Sequence, residues 1–158
     1  MHIIGIDPGF DKIGASIFDT KTKHIIASHI IRTKKTESIE LRLKSLYTQL
    51  ETLLTNFHPK VLVMEQLFFF KNQKTMIQVA QAQGAIMLLA SLNGLPVVFL
   101  TPLQIKQIIT GYGNADKKSV QKMLELSLHI SLKGKEDDET DAIACGYAYC
   151  LVNPRYIT

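Results

Sequence analysis

The run Ile3-Ile4-Gly5-Ile6-Asp7-Pro8-Gly9 decides how the chain is read. Ile3, Ile4 and Ile6 form a short β-branched apolar run, which predicts a buried strand. Asp7 closes that run, and Pro8-Gly9 turns the chain directly after it. A carboxylate on the last residue of a central strand is fixed at the edge of the core, where it can grip a hard cation. Asp also starts turns. The strand end alone leaves both readings open, and the placement of the other acids has to weigh between them.

Working outward, Gly14 to Phe18 alternates in polarity and predicts a second strand, with a third from His24 to Thr33 after a polar connection. Connections this short make antiparallel hairpins, so the chain should begin with a three-stranded meander. From Thr36 to Phe57, Ile39, Leu43, Leu46, Tyr47, Leu50, Leu53, Leu54 and Phe57 recur at helical spacing, and Pro59 closes the helix. Ser38, Arg42, Lys44, Ser45, Gln49 and Glu51 are assigned to its polar side. Val61 to Glu65 is too short for a helix and should form a strand parallel to the first. It also ends in an acid, Glu65. If the two strands are neighbours, Asp7 and Glu65 face each other at the carboxyl end of a sheet, where sites of open α/β sheets lie.

Phe68-Phe69-Phe70 precedes Lys71, and three consecutive phenylalanines cannot all face one core. A helix is expected from Thr75 to Asn93, apolar or small nearly all round in its second half, which suggests burial in the core and in a dimer interface. Gly94 is its natural cap. Pro96 to Leu100 predicts a fifth strand, and Thr101-Pro102 starts a helix to Thr110 that carries Lys106. Asp116 caps a helix to His129 bearing Lys117, Lys118 and Lys122. The last helix is expected to start near Asp138 and to end at Pro154.

A chain of 158 residues is read as one domain, 1–158. No uninterrupted apolar run is long enough to span a bilayer, and Asp7 comes too early for a signal peptide. These features predict a cytoplasmic protein with no membrane partner. Cys145 and Cys150 fall in one helix, too far apart for a disulfide, and lack zinc-site spacing. Net charge is +4, and residues 101–135, with six lysines against Asp116 and Glu125, carry that same excess. The excess points weakly to nucleic acid, and a solvated helical face explains it as well.

Asp138 and Asp141 lie three residues apart, which puts them on one helical face about 5–6 Å apart. A capping box, with Asp138 as N-cap, is the plainer alternative. Together the acids are Asp7 and Glu65 at two strand ends and Asp138 and Asp141 on the closing helix. Oxygen-only ligands select Mg²⁺ or Mn²⁺, and two such ions clamp the attacking and leaving oxygens of a phosphodiester. The Gly-rich loop of P-loop NTPases is absent from the sequence.

Five stretches, in order, carry a family resemblance. They are Gly5-Ile6-Asp7-Pro8-Gly9 with Gly14, Glu65-Gln66-Leu67-Phe68, Gln81-Ala82-Gln83-Gly84, Gly111-Tyr112-Gly113-Asn114-Ala115-Asp116-Lys117, and Asp138-Glu139-Thr140-Asp141-Ala142. The set resembles the RuvC family of bacterial Holliday junction resolvases over essentially the whole chain. The resemblance implies an α/β, RNase H-like fold: a five-stranded mixed sheet, three antiparallel strands then two parallel, flanked by helices. It implies a homodimer that makes paired nicks in four-way junction DNA and works with the RuvA–RuvB branch-migration complex. It implies that Asp7, Glu65, Asp138 and Asp141 bind two Mg²⁺ per subunit, with Mn²⁺ able to substitute. Lys117 is then catalytic, stabilising developing charge. Lys106, Lys117, Lys118, Lys122 and Lys71 contact DNA, and Phe68 and Phe69 stack on bases at the crossover. The chain departs from the family at Phe10-Asp11-Lys12-Ile13, where relatives carry a small polar residue, a basic residue and often Thr. At the Asp138 position some relatives carry His, and Asp137 competes with Asp138 for the ligand role. Three other readings are weighed: a non-catalytic junction-binding module, a different RNase H-like nuclease, and an actin-like kinase domain sharing the Gly-x-Asp-x-Gly loop.

Overall fold

The computed structural model describes residues 1–66 and 73–152. Five strands form one sheet: β1 (His2–Asp7), β2 (Lys12–Asp19), β3 (Ile25–Arg32), β4 (Leu62–Glu65) and β5 (Val97–Leu100). Their spatial order is β3-β2-β1-β4-β5, so β1 is the middle strand. β1 to β3 pair antiparallel, whereas β4 runs parallel to β1, and β5 parallel to β4. This is the expected mixed sheet. The helices are α1 (Ile39–Phe57), α2 (Gln73–Leu92), α3 (Pro102–Thr110), α4 (Lys117–Leu128) and α5 (Asp137–Leu151).

Strand parity sorts the side chains between two cores. Ile4 and Ile6 of β1 join Leu62 and Met64 of β4 against α1 and α2, through Leu46, Leu50, Ile86 and Leu89. Ile3 and Val63 join Phe18 on the other face, against α3, α4 and α5. Asp7 has the parity of Ile3, and Glu65 that of Val63. Both terminal acids therefore point to the α5 side of the sheet. The register pairs Ile6 with Met64, so Asp7 and Glu65 follow side by side.

Helix α5 presses its backbone on this face. A Cβ on Gly5 would meet Gly146 N at 2.6 Å, and one on Gly14 would fall 1.8 Å from the Asp138 carbonyl oxygen. Ser16 Oγ donates to the Ala142 carbonyl at 2.7 Å across the same contact. Every residue from Ala142 to Tyr149 is buried.

Several boundaries depart from the sequence reading. α1 begins at Ile39 instead of Thr36, because residues 34–37 form a turn in which Glu37 N–H donates to the Lys34 carbonyl. Arg42, assigned to the polar side of α1, is buried. α5 begins at Asp137, with Glu136 at the N-cap position, and ends at Leu151; Pro154 lies outside the described residues. The N-cap of α3 is a full capping box between Thr101 and Gln104. In α2, Thr75–Leu92 is long and apolar enough to cross a membrane by length and composition, although Gln78, Gln81 and Gln83 interrupt its apolar run. One side of this helix packs into the core through Val79, Ala82, Ile86, Leu89 and Ala90, while Ile77, Met87, Leu88 and Leu92 are exposed.

Gly14→Ala should destabilise the protein by about 3 kcal/mol, because the new methyl overlaps a backbone oxygen that cannot swing aside. Ser16→Ala, which loses only the bond to Ala142, should cost roughly 1 kcal/mol. Urea unfolding midpoints for the two variants test this order.

Candidate active site

Four carboxylates gather where β1 and β4 end beneath the first two turns of α5. Asp7 and Glu65 are fixed by their strands, and Asp138 and Asp141 by the helix. Each is half-buried. Burial, then Glu65, Asp141 and Asp138, push the Asp7 carboxyl up to about 8; Lys117 opposes them. Burial and then Asp141 raise Glu65 to about 7, against Lys117 and Lys106. Burial raises Asp141 as well, although its bond to Lys117 pulls the other way.

One cation is built into the cluster. Lys117, the first residue of α4, donates from Nζ to Asp141 Oδ2 at 2.9 Å, and Asp137 Oδ1 lies 3.5 Å from the same nitrogen. Asp116 positions it by capping α4, its side chain accepting from Ser119 N–H at 2.7 Å. Burial works against the ammonium, but Asp141 and Asp137 together raise its pKa.

The capping-box alternative for Asp138 and Asp141 does not hold. Glu136 takes the N-cap position, so Asp138 already lies inside the first turn. Asp138 also separates from Asp137. Asp138 lines a cavity with Asp7, whereas the Asp137 side chain is 80% exposed and pairs with Lys117.

Two cavities meet the acids. One, of about 280 Å³, is lined by Glu65, Asp141, Lys106, Lys117 and Gln121. The other, of about 580 Å³, runs from Asp7 and Asp138 past Lys12 and Arg32 to Lys35, with Thr75 and Gln78 of α2 on one wall. Among the described residues no three acids, histidines or cysteines already converge as ligands of a single ion. The donor set is nonetheless all carboxylate, which fits Mg²⁺ or Mn²⁺ and not zinc. Cations placed among these carboxylates would relieve the repulsion that raises Asp7 and Glu65.

Lys118 and Lys122 are exposed on α4 and line neither cavity. Phe68, Phe69 and Lys71 lie outside the described residues. Sequence reasoning missed Arg42. Its Nε donates to Thr33 Oγ1 at 3.0 Å, an Nη to the Phe10 carbonyl at 3.3 Å, and its guanidinium stacks over the Phe10 ring and pairs with Asp11. It thereby locks the loop after Asp7. The signal was in the spacing: Arg42 stands four residues before Leu46, on the buried stripe of α1. Asp11 is not a free negative charge, since Lys35 and Arg42 hold its carboxyl below the usual range.

The family model for crossover junction endodeoxyribonuclease RuvC matches residues 3–149. A crossover junction endodeoxyribonuclease RuvC of Pseudothermotoga lettingae is 40% identical over 156 residues, covering 96% of this chain and 95% of the relative. That of Fusobacterium nucleatum subsp. nucleatum is 42% identical over 146 residues, covering 91% and 77%. Among solved structures, T. thermophilus RuvC in complex with a Holliday junction substrate superposes with a TM-score of 0.89 at 25% identity, covering 96% of this chain and 93% of the other.

The raised carboxyls set a pH dependence. The folded Asp7 carboxyl sits near 8, above its ordinary 3.8, so the folded chain holds that proton more tightly than the unfolded one. The resulting stabilisation is complete below about pH 4 and is lost as pH rises through about 8. In EDTA, Asp7→Asn should therefore be more stable than wild type at pH 9, by on the order of 2 kcal/mol, with the gain vanishing toward pH 4. Thermal unfolding across that range, with and without Mg²⁺, checks the sign; Mg²⁺ should narrow the gap.

Proposed function

The chain belongs to the crossover junction endodeoxyribonuclease RuvC family, and we propose that it resolves four-way (Holliday) DNA junctions in recombination and repair. The observation that carries this reading is the meeting of Asp7, Glu65, Asp138 and Asp141 at one sheet end, with Lys117 against them. A pure binding module would gain nothing from four acids facing phosphate, which disfavours the non-catalytic alternative.

Asp7, Glu65, Asp138 and Asp141 would hold divalent cations, two per subunit in our reading, with Mg²⁺ the natural occupant and Mn²⁺ a substitute. When bound, such ions polarise a phosphoryl oxygen and lower the pKa of a coordinated water. The chain supplies rigidity: two acids ride on strands and two on a buried helix, which holds them at one end of the sheet. Lys117 brings positive charge to the oxygens that gain charge during in-line attack by water, and Lys106 faces the same cavity. The products would be 5′-phosphate and 3′-hydroxyl ends, with no covalent enzyme intermediate.

Paired nicks need two active sites, and the exposed apolar face of α2 (Ile77, Leu88, Leu92) supports a homodimer. Lys118 and Lys122 extend the basic surface along α4 for the duplex arms. By family position, Lys71 joins these contacts, Phe68 and Phe69 stack on bases at the opened crossover, and the RuvA–RuvB complex is the partner. The activity would reside in a single domain, 1–158, in the cytoplasm, where the DNA is.

Cleavage of a mobile synthetic four-way junction in Mg²⁺ tests the reading, with binding followed in parallel. Wild type should make paired symmetric nicks. Asp7→Asn should lose at least about 10³-fold in rate while binding the junction within a few-fold of wild type. Junction binding without cleavage in wild type, in Mg²⁺ and Mn²⁺ alike, would leave a binding module instead.

A further inference from the structure

The larger cavity beside Asp7 has a feature that the resolvase reading does not use. Lys12 and Arg32 are direct partners in the β2–β3 register, two like charges opposed across an antiparallel pair. Such a pairing is unfavourable unless an anion lies between the two side chains. Glu136 is that anion. Its Oε2 lies 2.5 Å from Lys12 Nζ, and its Oε1 pairs with Arg32.

Glu136 does this at the expense of its local role. It occupies the N-cap position of α5, yet its side chain makes no capping bond. Its backbone serves the helix, the carbonyl accepting from Thr140 N–H at 3.0 Å and Thr140 Oγ1 at 3.1 Å. The carboxylate turns outward to the two cations. Both sit on the wall of the cavity that reaches Asp7 and Asp138, and Lys35 stands further along it, paired with Asp11 at 2.8 Å. All three cations remain substantially exposed, from 44% for Lys12 to 76% for Lys35.

We propose that the Lys12–Arg32 pair is a seat for one backbone phosphate of the junction strand, beside the phosphate that is cut, and that Glu136 fills this seat until DNA displaces it. This rests on the resolvase reading and deepens it. The smaller cavity, with Lys106 and Lys117, receives the strand on one side of the four acids. The larger one receives it on the other, so the scissile phosphate is gripped from both neighbours. A carboxylate and a phosphodiester carry the same single charge and both accept from a two-donor fork, so the exchange needs no rearrangement of β2 or β3. Because Lys12 and Arg32 stand on β2 and β3, and β2 is paired with the strand that ends in Asp7, an occupied seat also fixes the DNA strand relative to that acid.

The test is junction binding in EDTA, where the substrate stays intact, over a range of salt concentrations. Lys12→Ala and Arg32→Ala should each weaken binding and flatten the slope of log affinity against log salt by about 0.7–0.9, one released counterion apiece. Glu136→Gln keeps both cations and removes the competing charge, so it should bind several-fold more tightly at low salt. Lys60→Ala, which removes an exposed cation outside both cavities, should leave the slope unchanged. Melting curves certify that each variant is folded. An unchanged slope in folded Lys12→Ala and Arg32→Ala overturns the inference, as does weaker binding by Glu136→Gln or an equal change in Lys60→Ala. If wild type cuts junctions and these results still fail, only the phosphate seat falls. If wild type neither binds nor cuts a junction, the resolvase reading falls with it.

Discussion

Helix α5 lies on the sheet backbone against backbone, and the rest of the site depends on that approach. At Gly5 and Gly14 on the strands and Gly146 on the helix, no side chain of their own holds the layers apart. Where ordinary side chains separate a helix from a sheet, the distance is set by their volume. Here it is set by main-chain atoms, which do not repack. The first turn of α5 is consequently pinned beside the end of β1, and Asp138 and Asp141 come within electrostatic reach of Asp7. Ser16, buried between the layers, ties the Ala142 carbonyl down at the point where the helix leaves the acid cluster.

This architecture forces like charges together and keeps them there. Burial raises Asp7 and Glu65 more than any single neighbour does, so the strain comes first from lost water and only then from mutual repulsion. The surroundings of the acids are arranged to limit it. Lys117 is delivered by the capped start of α4, and Lys106 comes from α3, whose own start is closed by a capping box. Two short helices, each with a well-defined N-terminus, thus carry the positive charge to one side. On the other side the positive charge comes from the sheet itself, through Lys12 and Arg32.

Much of this was legible in the sequence. An apolar run that closes on an acid is visible in Val61 to Glu65 as readily as in Ile3 to Asp7, and parity then assigns both acids to one face. The three-residue spacing of Asp138 and Asp141 gave their common helical face. Other features were hidden for physical reasons. Any of Glu136, Asp137 and Asp138 could chemically have capped α5, so the true start could not be chosen from composition. Gly5 inside a strand looks like a weakness until the helix it accommodates is known. Arg42 was counted by polarity, although its position placed it on the buried stripe. The Lys12–Arg32 pairing depends on the β2–β3 register, which no local pattern fixes.

Cys145 lies within that same contact. It is fully buried on α5, its thiol reaches the Ile6 backbone, and burial followed by the charges of Glu65 and Asp7 pushes its pKa well up. In the closed protein this sulfur is both unreachable and protonated, hence inert to alkylating reagents. It becomes reactive only when the helix parts from the middle strand. The rate at which Cys145 is labelled therefore measures how often the floor of the acid cluster opens, and cations or DNA that hold the acids together should slow that clock.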